Sequence, residues 1–206
     1  MIGVCNSPFP HVVIDGFIPR ELARAASMEW PNVHWPHWHS YGGIQLGKYA
    51  SKDPSRLTPA CMEIMRQMLS IPLEQILKIQ GTFPDFSLHG AGMHMMIPGS
   101  SVPLHLDSDH HPLLGWRRRA SCILWLDDWQ ESWGGSLRLW ETKDKPAVSI
   151  CPQAGRLAVF ECSDSSYHDV SQISNAAPIP RRSLAAFYWS VESSELKKRP
   201  TAEFLV

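Results

Sequence analysis

Apolar residues recur at helical spacing in the first part of the chain and change, from about Gly90 onward, to short β-rich runs broken by Gly, Pro, Asp and Ser. The runs cover residues 92–97, 102–107, 119–126, 136–140, 147–150, 156–160, 167–170 and 182–190. Strands at this spacing predict a double-sheet jelly roll. Upstream, Pro19 at an N1-like position opens a segment whose Leu22, Ala25 and Ala26 share a face, and Thr58 with Pro59 reads as N-cap and N1 of a second helix. Along that helix Cys61, Ile64, Met65, Met68 and Leu69 form a stripe that reads as core packing. Pro72 with Leu73, Ile76 and Leu77 predicts one more short helix. The expected class is α+β, mainly β: a double-stranded β-helix (jelly roll) core with supporting N-terminal helices. No repeat or Gly/Ser linker divides the sequence. One domain over 1–206 is therefore expected, with a helical N-terminal region at 1–89, a jelly-roll core at 90–190 and a C-terminal tail at 191–206.

Composition narrows the function. With 44% hydrophobic and 19% charged residues among 206, the chain can build a core and is neither disordered, collagen-like nor a coiled coil. Lys plus Arg is 19 against 20 for Asp plus Glu, a net charge of -1, which is not the footprint of a dedicated nucleic-acid binder. No apolar run approaches the roughly 20 residues that span a bilayer, and the opening residues lack the charged region and long apolar core of a secretion signal. A cytoplasmic protein without a membrane partner is expected, and nothing in the composition fixes an oligomeric state. Cys5, Cys61, Cys122, Cys151 and Cys162 are scattered and never form C-x-x-C, so they read as reduced, mostly buried thiols. The 10 His and 9 Trp stand out, because imidazole is the commonest metal ligand and Trp supplies apolar walls with one donor. A metal pocket is the first thing to look for.

His105 and Asp107 close the second run, and at period 2 their side chains point the same way. His168, opening a short run after the Ser/Asp-rich turn 163–166, is the natural third ligand. Two His and one carboxylate on one face of a metal leave its other positions open, as in the facial triad of non-haem Fe(II) oxygenases. Arg181 stands at the start of the last run with Ser183 on the same face, and an inward guanidinium there suits a dicarboxylate co-substrate.

From Gly90 to Trp189 the chain resembles the 2-oxoglutarate- and Fe(II)-dependent oxygenases, in particular the prolyl 4-hydroxylase-like branch. The pieces that carry the resemblance are His105-x-Asp107, the run Cys122 to Leu126 followed by Asp127, Asp128 and Trp129, then Gly134-Gly135 with Leu137, Gly155-Arg156-Leu157 with Phe160, His168-Asp169-Val170, and Arg181 with Ser183 and Leu184. Residues 8–17 are similar to the opening of small bacterial and phage members. The resemblance implies that His105, Asp107 and His168 hold Fe(II) and that Arg181 pairs with the distal carboxylate of 2-oxoglutarate. It also implies dioxygen as second co-substrate, ascorbate as a possible helper, and hydroxylation of an unactivated C–H bond with release of succinate and carbon dioxide. The substrate would be an amino acid, a peptide (a prolyl residue included) or a small molecule. Two positions depart from relatives: Ile97 and Trp125 stand where a co-substrate-contacting Tyr is common. Trp125 keeps a donor in its indole nitrogen, whereas Ile97 can only pack.

Other features have plainer readings. Gly134 and Gly135 read as turn or bulge glycines. The run Arg117 to Arg119 is a solvated face or a contact to an acidic substrate. His34 with His37 and His39 forms a competing metal pattern, but it sits among Pro and Trp in an expected loop. This segment, 34–41, is expected either to cover the site as a lid, with Trp35 and Trp38 touching substrate, or to pack against the outer helices. His110 and Arg117 are the substrate-side candidates after the H-x-D pair. Two other classes compete: a non-catalytic jelly roll that binds sugar or peptide, and a cupin-like metalloenzyme that does not use 2-oxoglutarate.

Overall fold

The longest strand, β12 (Arg181–Ser190), is buried along almost its whole length, because it runs through the middle of a sheet that is covered on both faces. Around it the computed structural model, which describes residues 3–51, 53–191 and 199–205, assembles two antiparallel sheets. The larger one contains β1 (His11–Ile14), β10 (Leu157–Glu161), β7 (Arg117–Trp125), β12, β5 (Gly92–Met96), β3 (Lys48–Ser51) and β2 (His39–Ser40) in that order, with β4 (Phe83–Pro84) also paired to β12. In the smaller one the order is β13 (Glu203–Phe204), β6 (Val102–Leu106), β11 (His168–Val170), β8 (Leu137–Thr142) and β9 (Lys145–Ile150).

Three helices, α1 (Arg20–Met28), α2 (Pro59–Met68) and α3 (Leu73–Ile76), support the larger sheet. Thr58 caps α2 by accepting the Cys61 amide, and Pro59 occupies the first turn, where its missing N–H costs nothing. The stripe Cys61, Ile64, Met65 and Met68 is buried and meets Leu124, Leu184 and Trp189 from the strands. Burying each such side chain contributes about 1.5–3 kcal/mol relative to leaving it in water. Between the sheets a second core joins Trp125 and Phe160 to Leu137, Leu139 and Ile150. No helix among the described residues is long and apolar enough to cross a membrane.

Two expectations need correction. Pro19 is the N-cap of α1, with ψ at 143°, and Arg20 is the first helical residue. The N-terminal region is not only helical, since β1 to β4 lie in it. These pieces are two to four residues long, too short for a period to show. They become strands because β10, β5 and β12 offer unpaired edges to them, so tertiary context decides. Of the expected C-terminal tail, 192–198 and 206 lie outside the described residues. Its described residues include a strand rather than a loose end.

Candidate active site

His105 and His168 face each other across the ladder of β6 and β11, directly opposite in register, with ring centroids 4.2 Å apart. Asp107 stands one residue past the end of β6 and joins them. Its Oδ1 lies 3.7 Å from His105 Nε2 and its Oδ2 lies 3.8 Å from His168 Nε2. One ligand atom from each residue falls within 4.8 Å of the others, the only such grouping of three among the described residues. Each imidazole is oriented by a main-chain carbonyl, Pro103 O at 2.8 Å from His105 Nδ1 and Ser166 O at 2.9 Å from His168 Nδ1. A carbonyl only accepts, so the proton sits on Nδ1 and the Nε2 lone pairs are free to coordinate.

Electrostatics keeps the set ready for a cation. Burial pushes the Asp107 carboxyl up, but the Arg118 guanidinium and the two imidazoles outweigh it and hold the group well below the usual carboxylate range. Burial, with His105 alongside, pulls His168 down to about 4, so it is neutral near pH 7. Asp107 Oδ2 accepts from Ser121 Oγ at 3.0 Å and lies 3.2 Å from an Arg118 nitrogen. Arg118 is itself buried, its guanidinium stacked 3.7 Å over the Phe187 ring. The sequence flags the arginine run but not this residue. Strict alternation from Ser121 would turn Arg119 inward, whereas the register with β12 steps from Ala120 opposite Tyr188 straight to Arg118 opposite Trp189, and this shift turns Arg118 in.

The triad lines a cavity of about 430 Å³ that Arg181 and Ser183 line as well. Arg181 donates from Nε to Gly135 O at 2.8 Å, so this glycine does more than relieve the backbone at φ 70°: its carbonyl aims the guanidinium. The Arg181 Nη2 is buried without a hydrogen-bond partner, and burial lowers the group to about 9, which still leaves it charged at neutral pH. Trp125 is directly opposite Ser183 in register, its ring 5.4 Å from the Arg181 guanidinium carbon, and its Nε1 is likewise buried without a partner. Arg182 points to the other face, where it meets Asp127 Oδ2 at 3.0 Å and Ser27 O at 2.8 Å.

Several sequence candidates lie elsewhere. Ile97 is not the inward residue at the end of β5; Met96 and His94 line the cavity instead. Trp35 and Trp38 pack edge to face with each other at 5.2 Å and against the helix-side core, not on the cavity, because their large apolar faces are better buried beside Trp30 and Tyr49. From that segment only Tyr41 lines the cavity. His110 is buried with Nδ1 at 2.6 Å from Asp109 Oδ1, and Arg117 pairs with Ser190 and bridges to His110. Neither lines the cavity.

Comparison with known proteins agrees with this geometry. Residues 91–189 match the family model described as the 2OG-Fe(II) oxygenase superfamily. Among solved structures, a Pseudomonas putida prolyl-4-hydroxylase is 22% identical over 88% of this chain and 93% of its own, with a TM-score of 0.61. A prolyl hydroxylase from Trichoplax adhaerens, solved in complex with a hypoxia inducible factor oxygen degradation domain peptide fragment, is 15% identical over 87% and 83%, with a TM-score of 0.68. HygX from Streptomyces hygroscopicus, solved with nickel and 2-oxoglutarate bound, is 10% identical over 94% and 92%, with a TM-score of 0.57. A search of curated proteins found no match. Through residues 91–189 the chain belongs to the 2OG-Fe(II) oxygenase superfamily, the dioxygenases that work with Fe(II) and 2-oxoglutarate.

Proposed function

We propose that His105, Asp107 and His168 hold the Fe(II), that Arg181 with Ser183 and Trp125 receives the distal carboxylate of 2-oxoglutarate, and that residues 1–206 act as one domain hydroxylating a peptidyl substrate, a prolyl residue included. The observation that carries the reading is one cavity with three convergent ligand atoms at one place and a buried, unpartnered guanidinium nitrogen at another. The donor set of two nitrogens and one oxygen suits Fe(II) and leaves coordination positions open. The orphaned Arg181 Nη2 is a donor that a carboxylate in the cavity would satisfy, while Trp125, which does not itself line the cavity, backs the guanidinium with its ring 5.4 Å away.

When bound, Fe(II) and 2-oxoglutarate would activate dioxygen, the oxidant, so that one of its oxygen atoms enters succinate as carbon dioxide leaves and the other enters a C–H bond of the substrate. The chain's own work is to position and to exclude water. Ser121 and Arg118 occupy Asp107 Oδ2, which leaves Oδ1 for one-point coordination. Main-chain carbonyls fix both imidazoles with their lone pairs inward. Val102, Leu137, Val170 and Phe160 give the inner cavity apolar walls.

The peptidyl reading is supported by the two prolyl hydroxylases of the same fold, one of them solved with a peptide. Free thiols at all five cysteines suit a cytoplasmic, reducing setting. The binding-module and cupin-like alternatives fall to the family match. The test is anaerobic addition of Fe(II) and 2-oxoglutarate to the purified chain, followed by proline-containing peptides with succinate release as the readout. A visible metal-to-ligand charge-transfer band that disappears in Arg181→Ala supports the assignment; a wild-type chain with no band rejects it.

A further inference from the structure

The described end of the chain, residues 199–205, lies across the cavity rather than away from it. We propose that this segment is a fixed strap forming a third wall of the cavity, in which Phe204 positions and shields His105 and Arg199 locks the strap in place. The inference rests on the proposed metal site only in taking this cavity as the reaction chamber.

Without β13, β6 would be the open edge of the smaller sheet, and β6 carries His105. An open edge next to a metal ligand exposes unpaired backbone groups and lets the ligand strand fray. The strap removes that edge: Glu203 pairs with Leu106, Phe204 pairs with His105, and the Leu205 amide donates to Leu104 O at 2.9 Å. Residues directly opposite share a face, so the Phe204 ring stacks on the His105 imidazole, centroids 5.1 Å apart and planes 26° apart. Pro200, Thr201 and Ala202 line the cavity along with Phe204.

Arg199 fastens the other end. Its amide donates to Asp109 Oδ1 at 2.6 Å and its carbonyl accepts from the Asp109 amide at 2.9 Å. Its Nε donates to the main-chain oxygen of Asp107 at 2.6 Å, and its Nη1 to Asp164 Oδ1 at 3.0 Å. Asp109 is buried, so its carboxylate needs these donors. The strap therefore touches two of the three proposed ligand residues from outside, His105 through its ring and Asp107 through its backbone. A tail that merely lay on the surface would not be bonded to the ligand-bearing segment at both ends.

The experiment uses the full chain, metal-free, with diethyl pyrocarbonate as probe and mass spectrometry of the His105 peptide as readout. Exposed His39 and buried His11 serve as internal references. A loss of about 1–2 kcal/mol in local closure corresponds to roughly 5–30-fold, so His105 in Phe204→Ala and in Arg199→Ala should react at least about fivefold faster, with both references unchanged. Phe204→Tyr and Arg199→Lys should return the rate toward wild type. Affinity for Ni(II) alone should fall severalfold in Arg199→Ala. In the wild-type chain, amide hydrogen exchange at Leu205 should be protected, a reading that does not depend on any variant folding. An unprotected Leu205 amide, or unchanged His105 reactivity in both alanine variants with cooperative thermal unfolding preserved, overturns the proposal. A wild-type chain that gives these results but no charge-transfer band would refute the co-substrate reading and leave the strap standing.

Discussion

Asp107 gives one carboxylate oxygen to protein donors and, in the proposed site, keeps the other for the metal, and that division shapes what each neighbouring residue contributes. Oδ2 is held by Ser121 and Arg118, so a cation meets a carboxylate already ionised and already turned. Removing either imidazole leaves two ligands, and tight Fe(II) binding should be lost in His105→Ala and in His168→Ala, measured by calorimetric titration with Fe(II) under anaerobic conditions. Full affinity in His168→Ala would remove that residue from the ligand set. The same residue predicts an acid limb of stability. His168 titrates near 4 in the folded chain against 6.5 when unfolded. As pH falls below 6.5 the unfolded state takes up the proton first, so the stabilisation fully present above 6.5 is lost progressively down to about 4 and does not decrease further from this residue. Thermal unfolding of the metal-free chain should therefore show a midpoint that drops between pH 6.5 and 4, with a smaller drop in His168→Gln.

At the level of elements, β12 shows how alternation turns neighbouring arginines to different tasks. Arg181 faces the cavity and Arg182 faces Asp127, so their replacements should fail in different assays. If Arg181 receives the co-substrate carboxylate as proposed, Arg181→Ala removes a charge-assisted partner worth about 2–5 kcal/mol, and the 2-oxoglutarate concentration needed for succinate formation should rise by one to several orders of magnitude. Arg182→Ala should leave that requirement unchanged but lower stability by about 3–5 kcal/mol, because it strands the buried Asp127 carboxylate. The reverse pattern would mean the two side chains had been exchanged. This register was legible because Arg181 and Ser183 share a period-2 face. Arg118 was not, because the shift opposite Trp189 breaks alternation where it would have pointed the way. Gly135 was read as a turn or bulge glycine, and its φ of 70° does need a glycine's freedom, yet its carbonyl's hold on Arg181 is a contact across 46 positions that no local pattern encodes.

Over the whole molecule, the features the sequence displayed best were those set by repetition within one segment: the eight runs after Gly90, the capped and striped α2, and the H-x-D pair at a strand end. Features supplied by a distant partner stayed hidden, such as the short strands that form only against an available edge and the end of the chain that pairs with β6. Segment 34–41 illustrates the limit. Its Trp, His and Pro composition suits either a lid or a packed loop, and the choice depends on what lies beneath it. The structure places Trp35 and Trp38 among Trp30 and Tyr49 on the helix-side core, with Trp38 Nε1 donating to Asn32 O at 2.8 Å. These rings therefore act on stability and not on turnover. Each is only partly buried, so Trp35→Ala and Trp38→Ala should each destabilise by about 0.5–3 kcal/mol. Below the unfolding transition, the affinity for Fe(II) and 2-oxoglutarate and the peptide-dependent rate should stay within about twofold of wild type, since about 1.4 kcal/mol is needed for a tenfold change. Chemical denaturation paired with succinate release measured well below the new midpoint would separate the two roles. A selective fall in peptide-dependent turnover, with the denaturation midpoint unmoved, would restore the lid reading.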